Sequence, residues 1–350
     1  MTQIKFLVIR GANIGDLICT TPLITTLRKS YPNARIDALV NSYNAPVIEN
    51  NPDVDHVFFY TKAKHRKRGE TVLGVHWRRL KLIYKLRRLQ YDYILLANCG
   101  YLHRPLRLAR MLNPKHVIGY VPEGLNDRIV DMPVVESSVD SHRHEVIRIQ
   151  NLLKPLGILS EPPRLTLVPN KTARLNAEAN VTHFFGQTPL PIIAVHISAR
   201  LPSQRWPAES FAQLIQKMSQ SQQYRFMLFW SPGDENNAHH PGDDQKAQSI
   251  LKACAGLPIL PYPTLKLDDL IAGLSVCDAM FCADGGAMHI GAALGLSIVC
   301  LFGESPANNW YPWGVPHQVI QADSRRVVDI SVDEACNALQ KIMANIVVKA

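Results

Sequence analysis

The chain has 350 residues, 47% of them hydrophobic and 19% charged, which suits two ordinary globular cores and excludes a disordered or collagen-like chain. No apolar run approaches the roughly 20 residues of a membrane span, and the first residues enter a strand pattern with none of the regions of a secretory signal. The net charge of +9 is local: residues 1–165 hold 25 Lys/Arg against 14 Asp/Glu, residues 166–350 hold 13 against 15, and residues 62–88 alone hold 11 basic residues and one acid, Glu70. Such a cluster argues for a local anionic partner.

The first half alternates strand and helix patterns. Strands are predicted over 4–9, 34–40, 56–60, 91–97 and 116–119. Helices are predicted over 15–30, 45–50, 76–90, 104–112 and 141–153. Strands separated by helices point to right-handed βαβ units and a parallel sheet. Residues 156–191 change character, with several prolines and one helical segment near 172–185, so 166–190 is read as a linker. The alternation then restarts, with strands at 192–197, 225–230, 258–260, 279–283 and 297–302. Helices are expected at 208–219, 244–255, 267–274, 288–294 and 331–346. The fold class is α/β: a first Rossmann-like domain over 1–165 and a second over 191–330, facing one cleft, followed by a terminal helix. Seven cysteines (19, 99, 254, 277, 282, 300, 336) are odd in number, lie mostly in apolar surroundings and form no CxxC. Reduced, buried thiols and a cytoplasmic location follow.

Residues 278–314 carry the strongest chemical signal. A short apolar strand runs into Asp284-Gly285-Gly286, a turn that opens a helix. The unpaired N–H groups at such a terminus suit an anion such as a diphosphate. His289, one turn on, is placed to donate to the same anion. After the first strand comes Arg10-Gly11-Ala12-Asn13-Ile14-Gly15-Asp16, at the sheet edge where open α/β proteins bind ligands. Asp16 reads either as a first-turn cap or as a carboxylate that takes a proton from a hydroxyl. The segment from His196 through Ser198 and Arg200 to Gln204-Arg205-Trp206-Pro207 follows the first strand of the second half, where hydroxyls and guanidinium groups grip phosphate. Ser231-Pro232-Gly233-Asp234-Glu235 offers a carboxylate for a ribose hydroxyl, or plain turn chemistry.

Asp53-Val54-Asp55 has the form of a metal-binding DxD but follows Asn50-Asn51-Pro52 and reads as a turn. His142, His144, His239 and His240 lack ligand spacing, so no metal site is expected. The basic segment divides into a charged loop (Lys62, Lys64, Arg66, Lys67, Arg68) and a helix. That helix sets Arg78, Arg79, Lys81, Arg87 and Arg88 around Trp77, Leu80, Ile83, Tyr84 and Leu86. Basic side chains around an apolar stripe suit an anionic membrane surface; a solvated helix face is the plainer reading. Nucleic acid is not expected, because no aromatic–basic RNA-binding signature is present.

Taken together, IGDLICTTPLITTLRKSYPNARIDALV, YDYILL, KHVIGY, RWPAESFAQL and ADGGAMHIGAALGLSIVCLFGESPANNWYPWG resemble glycosyltransferase family 9, the ADP-heptose:lipopolysaccharide heptosyltransferases. The resemblance covers nearly the whole chain. It implies a GT-B fold, with the acceptor on the first domain, the sugar nucleotide on the second, and the last helix packed back on the first. It also implies inverting transfer of heptose from ADP-heptose to a phosphorylated glycolipid, with no metal or cofactor, at the inner face of the inner membrane. The family's base falls on Asp16, with Asn13 and Gly15 beside it on the acceptor side. Its donor positions fall on Ser198, Gln204, Glu235, Leu265, Asp284, Gly285, Gly286 and His289. Two departures stand out. Gln204 occupies a position where the family often has Lys, leaving Arg205 as the nearest cation. Gly285 replaces a usual Ser or Thr. The residues alone leave open a GT-B transferase with another nucleotide sugar or acceptor, and a non-catalytic module that binds nucleotide sugars or nucleic acid.

Overall fold

The computed structural model describes residues 3–60, 72–135, 137–138, 140–187, 189–221, 223–235 and 241–346, with the backbone alone for 72, 73, 75 and 76. The chain divides into two units between Thr166 and Leu167.

The first unit is built on β1 (Lys5–Arg10), β2 (Arg35–Asn41), β3 (His56–Tyr60), β4 (Tyr93–Leu96), β5 (His116–Tyr120) and β6 (Met132–Val134). They form one parallel sheet in the order β3-β2-β1-β4-β5-β6. Five consecutive residues of β1 are buried, as expected of a strand covered on both faces. Around the sheet lie α1 (Ile14–Ile18), α2 (Thr21–Ser30), α3 (Val72–Arg88), α4 (His103–Leu112) and α5 (Glu145–Gln150). Leu86, Leu106, Leu108, Ala109 and Leu112 from α3 and α4 close over Leu7, Ile9, Leu39, Ile94 and Leu96.

The helix predicted over 15–30 is two helices. Pro22 sits in the first turn of α2, where its missing N–H costs nothing. At the break, Thr20 and Thr21 hydroxyls donate to the carbonyls of Asp16 and Ile18. The segment at 45–50 is a 3₁₀ turn over Ser42–Val47. The helix at 141–153 is α5 flanked by two 3₁₀ turns.

The second unit repeats the winding. It holds α6 (Lys171–Phe185), β7 (Ile192–His196), α7 (Ala208–Ser219), β8 (Arg225–Trp230), α8 (Asp244–Ala253), β9 (Ile259–Pro263), α9 (Leu267–Leu274) and β10 (Ala279–Ala283). There follow α10 (Gly286–Ala293), β11 (Ser297–Phe302), α11 (Ala307–Trp310), β12 (His317–Gln321) and α12 (Val332–Met343). The parallel order is β12-β11-β10-β7-β8-β9. In each unit the winding reverses beside the first strand, between β1 and β4 and between β7 and β10. A ligand crevice forms at such a switch point, outside the carboxyl ends of the strands.

Helix α6 lies within the stretch read as linker and packs on α9. Helix α12 buries Ala335, Cys336, Leu339, Ile342 and Met343 in the core of the second unit, beside α7. Its spacing makes one continuous apolar stripe.

Candidate functional site

In the second unit, the residues expected to hold a donor lie on loops at the carboxyl ends of four adjacent strands. Ser198 follows β7, Glu235 follows β8, Leu265 follows β9, and Asp284-Gly285-Gly286 joins β10 to α10. Glu235 is exposed, and Leu265 is 80% exposed.

The centre of this edge is rigid. Gln204 ends a 3₁₀ turn and is buried. Its Nε2 donates to Asp284 Oδ2 at 2.9 Å and to Ser305 Oγ at 3.3 Å. Burial raises the proton affinity of Asp284, against the opposing hydrogen bonds from Ser305 and Gln204. Gly303 lets the two loops meet, because a Cβ there would stand 2.6 Å from the Ser203 carbonyl oxygen. Behind them Trp206 is fully buried and donates from Nε1 to Ile330 O at 3.0 Å.

Ser198 is fixed from three sides. Its Oγ accepts from Ser231 N at 2.9 Å. The preceding carbonyl, of Ile197, accepts from Lys246 Nζ at 3.0 Å, and the following one, of Ala199, accepts from Arg205 Nε at 3.0 Å. Arg205 Nη2 lies 3.8 Å from Asp243 Oδ1, so Arg205 is built into the loop's frame. Burial lowers Lys246 to about 8, with Asp243 opposing. It lowers His196 at the end of β7 to about 4, with Lys246 adding to the effect.

Helix α10 starts at Gly286, and no side chain among the described residues caps it. Its first amides therefore remain for an anion. His289 is buried one turn in, its ring 5.9 Å from that of Trp310. Gly285 has φ 160°, an extended value open to any residue, and none of the described residues comes within 4 Å of the position a Cβ would take. The backbone does not require glycine here.

In the first unit, Asn13, Gly15 and Asp16 stand at the carboxyl end of β1. Asn13 is the N-cap of α1, and Asp16 Oδ2 accepts from Asn13 N at 2.9 Å. Both readings of Asp16 therefore meet in one side chain. It caps the helix, yet it also pairs at 2.6 Å through Oδ1 with Nη2 of Arg10, which is 2% exposed. The same Nη2 lies 2.8 Å from Glu145 Oε1, and Arg10 Nη1 donates to the Ala97 carbonyl beside β4. Glu145, brought in by α5, was not singled out from the sequence; nothing in HRHEVIRI marks it. The local signal for Arg10 is a charge closing the apolar run Phe6–Ile9.

Asp53 and Asp55 occupy the turn expected of them. Thr25 Oγ1 donates to Asp53, and Arg28 Nη2 and the Ile36 amide donate to Asp55. On α3, Trp77, Leu80 and Tyr84 are 62%, 58% and 65% exposed. Lys81 lies over the Trp77 ring and Arg88 over that of Tyr84, at 5.6 and 5.7 Å. Arg78 and Arg79 are on the half of α3 nearer the carboxyl edge of the sheet; Arg87 and Arg88 are about 14 Å farther along the helix. Lys62, Lys64, Arg66, Lys67 and Arg68 lie outside the described residues. No helix among the described residues is long and apolar enough to cross a membrane.

Comparison with known proteins agrees with this architecture. The chain is 26% identical over 313 residues to lipopolysaccharide heptosyltransferase 2 of Escherichia coli, spanning 86% of this chain and 83% of that one. A family 9 glycosyl transferase from Veillonella parvula superposes with a TM-score of 0.79 at 20% identity, covering 97% of each chain. The E. coli heptosyltransferase WaaC with ADP gives 0.74 at 15% identity, over 97% of this chain and 100% of that one. The family model described as glycosyltransferase family 9 (heptosyltransferase) matches residues 79–337. The chain belongs to glycosyltransferase family 9 and has its two-sheet GT-B fold.

Proposed function

We propose that this glycosyltransferase moves heptose from ADP-heptose to a sugar of the lipopolysaccharide inner core, with inversion and without a metal ion. The observation that carries the donor half is the uncapped start of α10 beside the buried Asp284–Gln204–Ser305 group. The diphosphate would sit on the Gly285–Gly286 amides, where the helix dipole favours negative charge. Leu265 and Glu235, exposed on the neighbouring loops, would meet the nucleoside.

Asp16 serves as the general base. It takes the proton of the acceptor hydroxyl, whose oxygen forms a bond to the anomeric carbon. The bond from that carbon to the diphosphate breaks on the opposite face, and its electron pair leaves with ADP. The oxocarbenium-like charge distribution is that of glycoside chemistry. The α10 amides and His289 stabilise the leaving oxygen. Arg78 and Arg79 would hold the phosphorylated acceptor, and the aromatic–cationic face of α3 would rest on an anionic membrane surface. The relatives' names support the acceptor class: heptosyltransferases 2 and 3 of lipopolysaccharide.

Calorimetry with ADP-heptose, UDP- and GDP-sugars, followed by a transfer assay to heptose-deficient lipopolysaccharide in EDTA, tests this reading. ADP-heptose should bind best and be consumed. Preference for another nucleotide sugar, or dependence on a metal, would replace the reading with a different GT-B transferase.

A further inference from the structure

We propose that Glu145 is the counter-ion that lets Asp16 accept the acceptor's proton; the inference rests on Asp16 being the base. Arg10 Nη2 has two hydrogens and serves two carboxylates, Asp16 at 2.6 Å and Glu145 at 2.8 Å. The guanidinium is sealed in the sheet edge, with its Nε buried and without a hydrogen-bond partner among the described residues. Asp16 retains a 16% exposed side chain, whereas that of Glu145 is 4% exposed.

This asymmetry divides the labour. When the hydroxyl proton moves to Asp16, that carboxylate becomes neutral and Arg10 loses one of its two anions. A buried cation stripped of its partner is strongly unfavourable. Glu145 prevents this, because it stays paired with the same nitrogen. It is itself supported by Arg148 Nη1 at 3.3 Å and by Cys99, whose thiol burial, and then Glu145, hold protonated. An arginine paired with Asp16 alone would hold it as a carboxylate and make it a poor base. One shared between two carboxylates leaves Asp16 a basic site while still orienting it. Glu145 is thus a positioning residue that does not touch substrate.

The test is the pH dependence of transfer at saturating donor for wild type, Glu145→Gln and Arg148→Met. Glu145→Gln concentrates Arg10 on Asp16, so kcat should fall about three- to tenfold and the acid limb should move about one pH unit lower. Donor affinity measured by calorimetry should not change. Arg148→Met strengthens the hold of Glu145 on Arg10 and should move the acid limb to higher pH. It carries the test alone if Glu145→Gln does not fold. Asp16→Asn separates the two readings. If it transfers at the wild-type rate, the base assignment fails and this inference with it. If it is inactive while the other variants keep the wild-type acid limb, the counter-ion role alone is overturned.

Discussion

Gln204 and Asp284 lie 80 positions apart, yet the amide of one donates to the carboxylate of the other at 2.9 Å, out of reach of solvent. The bond ties the loop after β7 to the turn that opens α10, the two edges flanking the switch point of the second sheet. Among the described residues the side-chain partners of Asp284 are the neutral Gln204 and Ser305, so burial prevails and its proton affinity rises. Gln204→Leu should therefore strand the carboxyl group with a single partner. A loss of about 1–3 kcal/mol in unfolding free energy is expected, together with a raised donor KM, measured by urea denaturation and initial rates. Unchanged values for both would mean that the loops are held by other contacts.

Gly285 is open to improvement. Its φ of 160° suits any residue, and no described residue crowds a Cβ there. Gly285→Ser should fold as the wild type does and add a hydroxyl donor beside the α10 amides. Donor binding should tighten about fivefold, the effect of one hydrogen bond worth about 1 kcal/mol, as read by calorimetry with ADP-heptose. Weaker binding would place the diphosphate elsewhere.

Much of the fold was legible because parallel strands buried on both faces are plain apolar runs, such as Phe6–Ile9 in β1 and Met280–Ala283 in β10. What escaped notice has physical reasons. Strand β6 is three residues long with a central proline, and β12 (HQVIQ) has only Val319 and Ile320 as apolar residues, between polar ones. At the site, the loops after β1, β7 and β10 were marked by Gly, Asp and Ser at strand ends. Glu145 and Lys246 were not, since pairings with Arg10 and Ile197 across 135 and 49 positions leave no local pattern.

His196 gives the second unit an acid sensitivity. Burial holds its folded value at about 4 against 6.5 for the free side chain. Between those values the unfolded chain binds more protons, so stability falls as pH drops from about 6.5 to about 4. The loss approaches 3 kcal/mol at the acid end. Replacing His196 with Leu should remove this slope. Denaturation at pH 7 and pH 4.5 checks it: parallel losses in wild type and variant would assign the slope to other groups.

Helix α3 should bind anionic vesicles in a salt-sensitive way. Neutralising Arg78, Arg79, Lys81, Arg87 and Arg88 together should abolish co-sedimentation with phosphatidylglycerol vesicles, since each surface cation contributes about 1 kcal/mol. Trp77→Ser should weaken binding and reduce its persistence in high salt. Binding unaffected by all of these changes would leave α3 a solvated face.

The proposed base is Asp16, with one oxygen on Arg10 and the other on the Asn13 amide. The direct measurement is single-turnover transfer of heptose from ADP-heptose to heptose-deficient lipopolysaccharide by wild type and Asp16→Asn, with donor binding measured in parallel. The variant should transfer about 10²–10⁴-fold more slowly, with an unchanged donor dissociation constant. Transfer by Asp16→Asn at the wild-type rate would contradict that assignment.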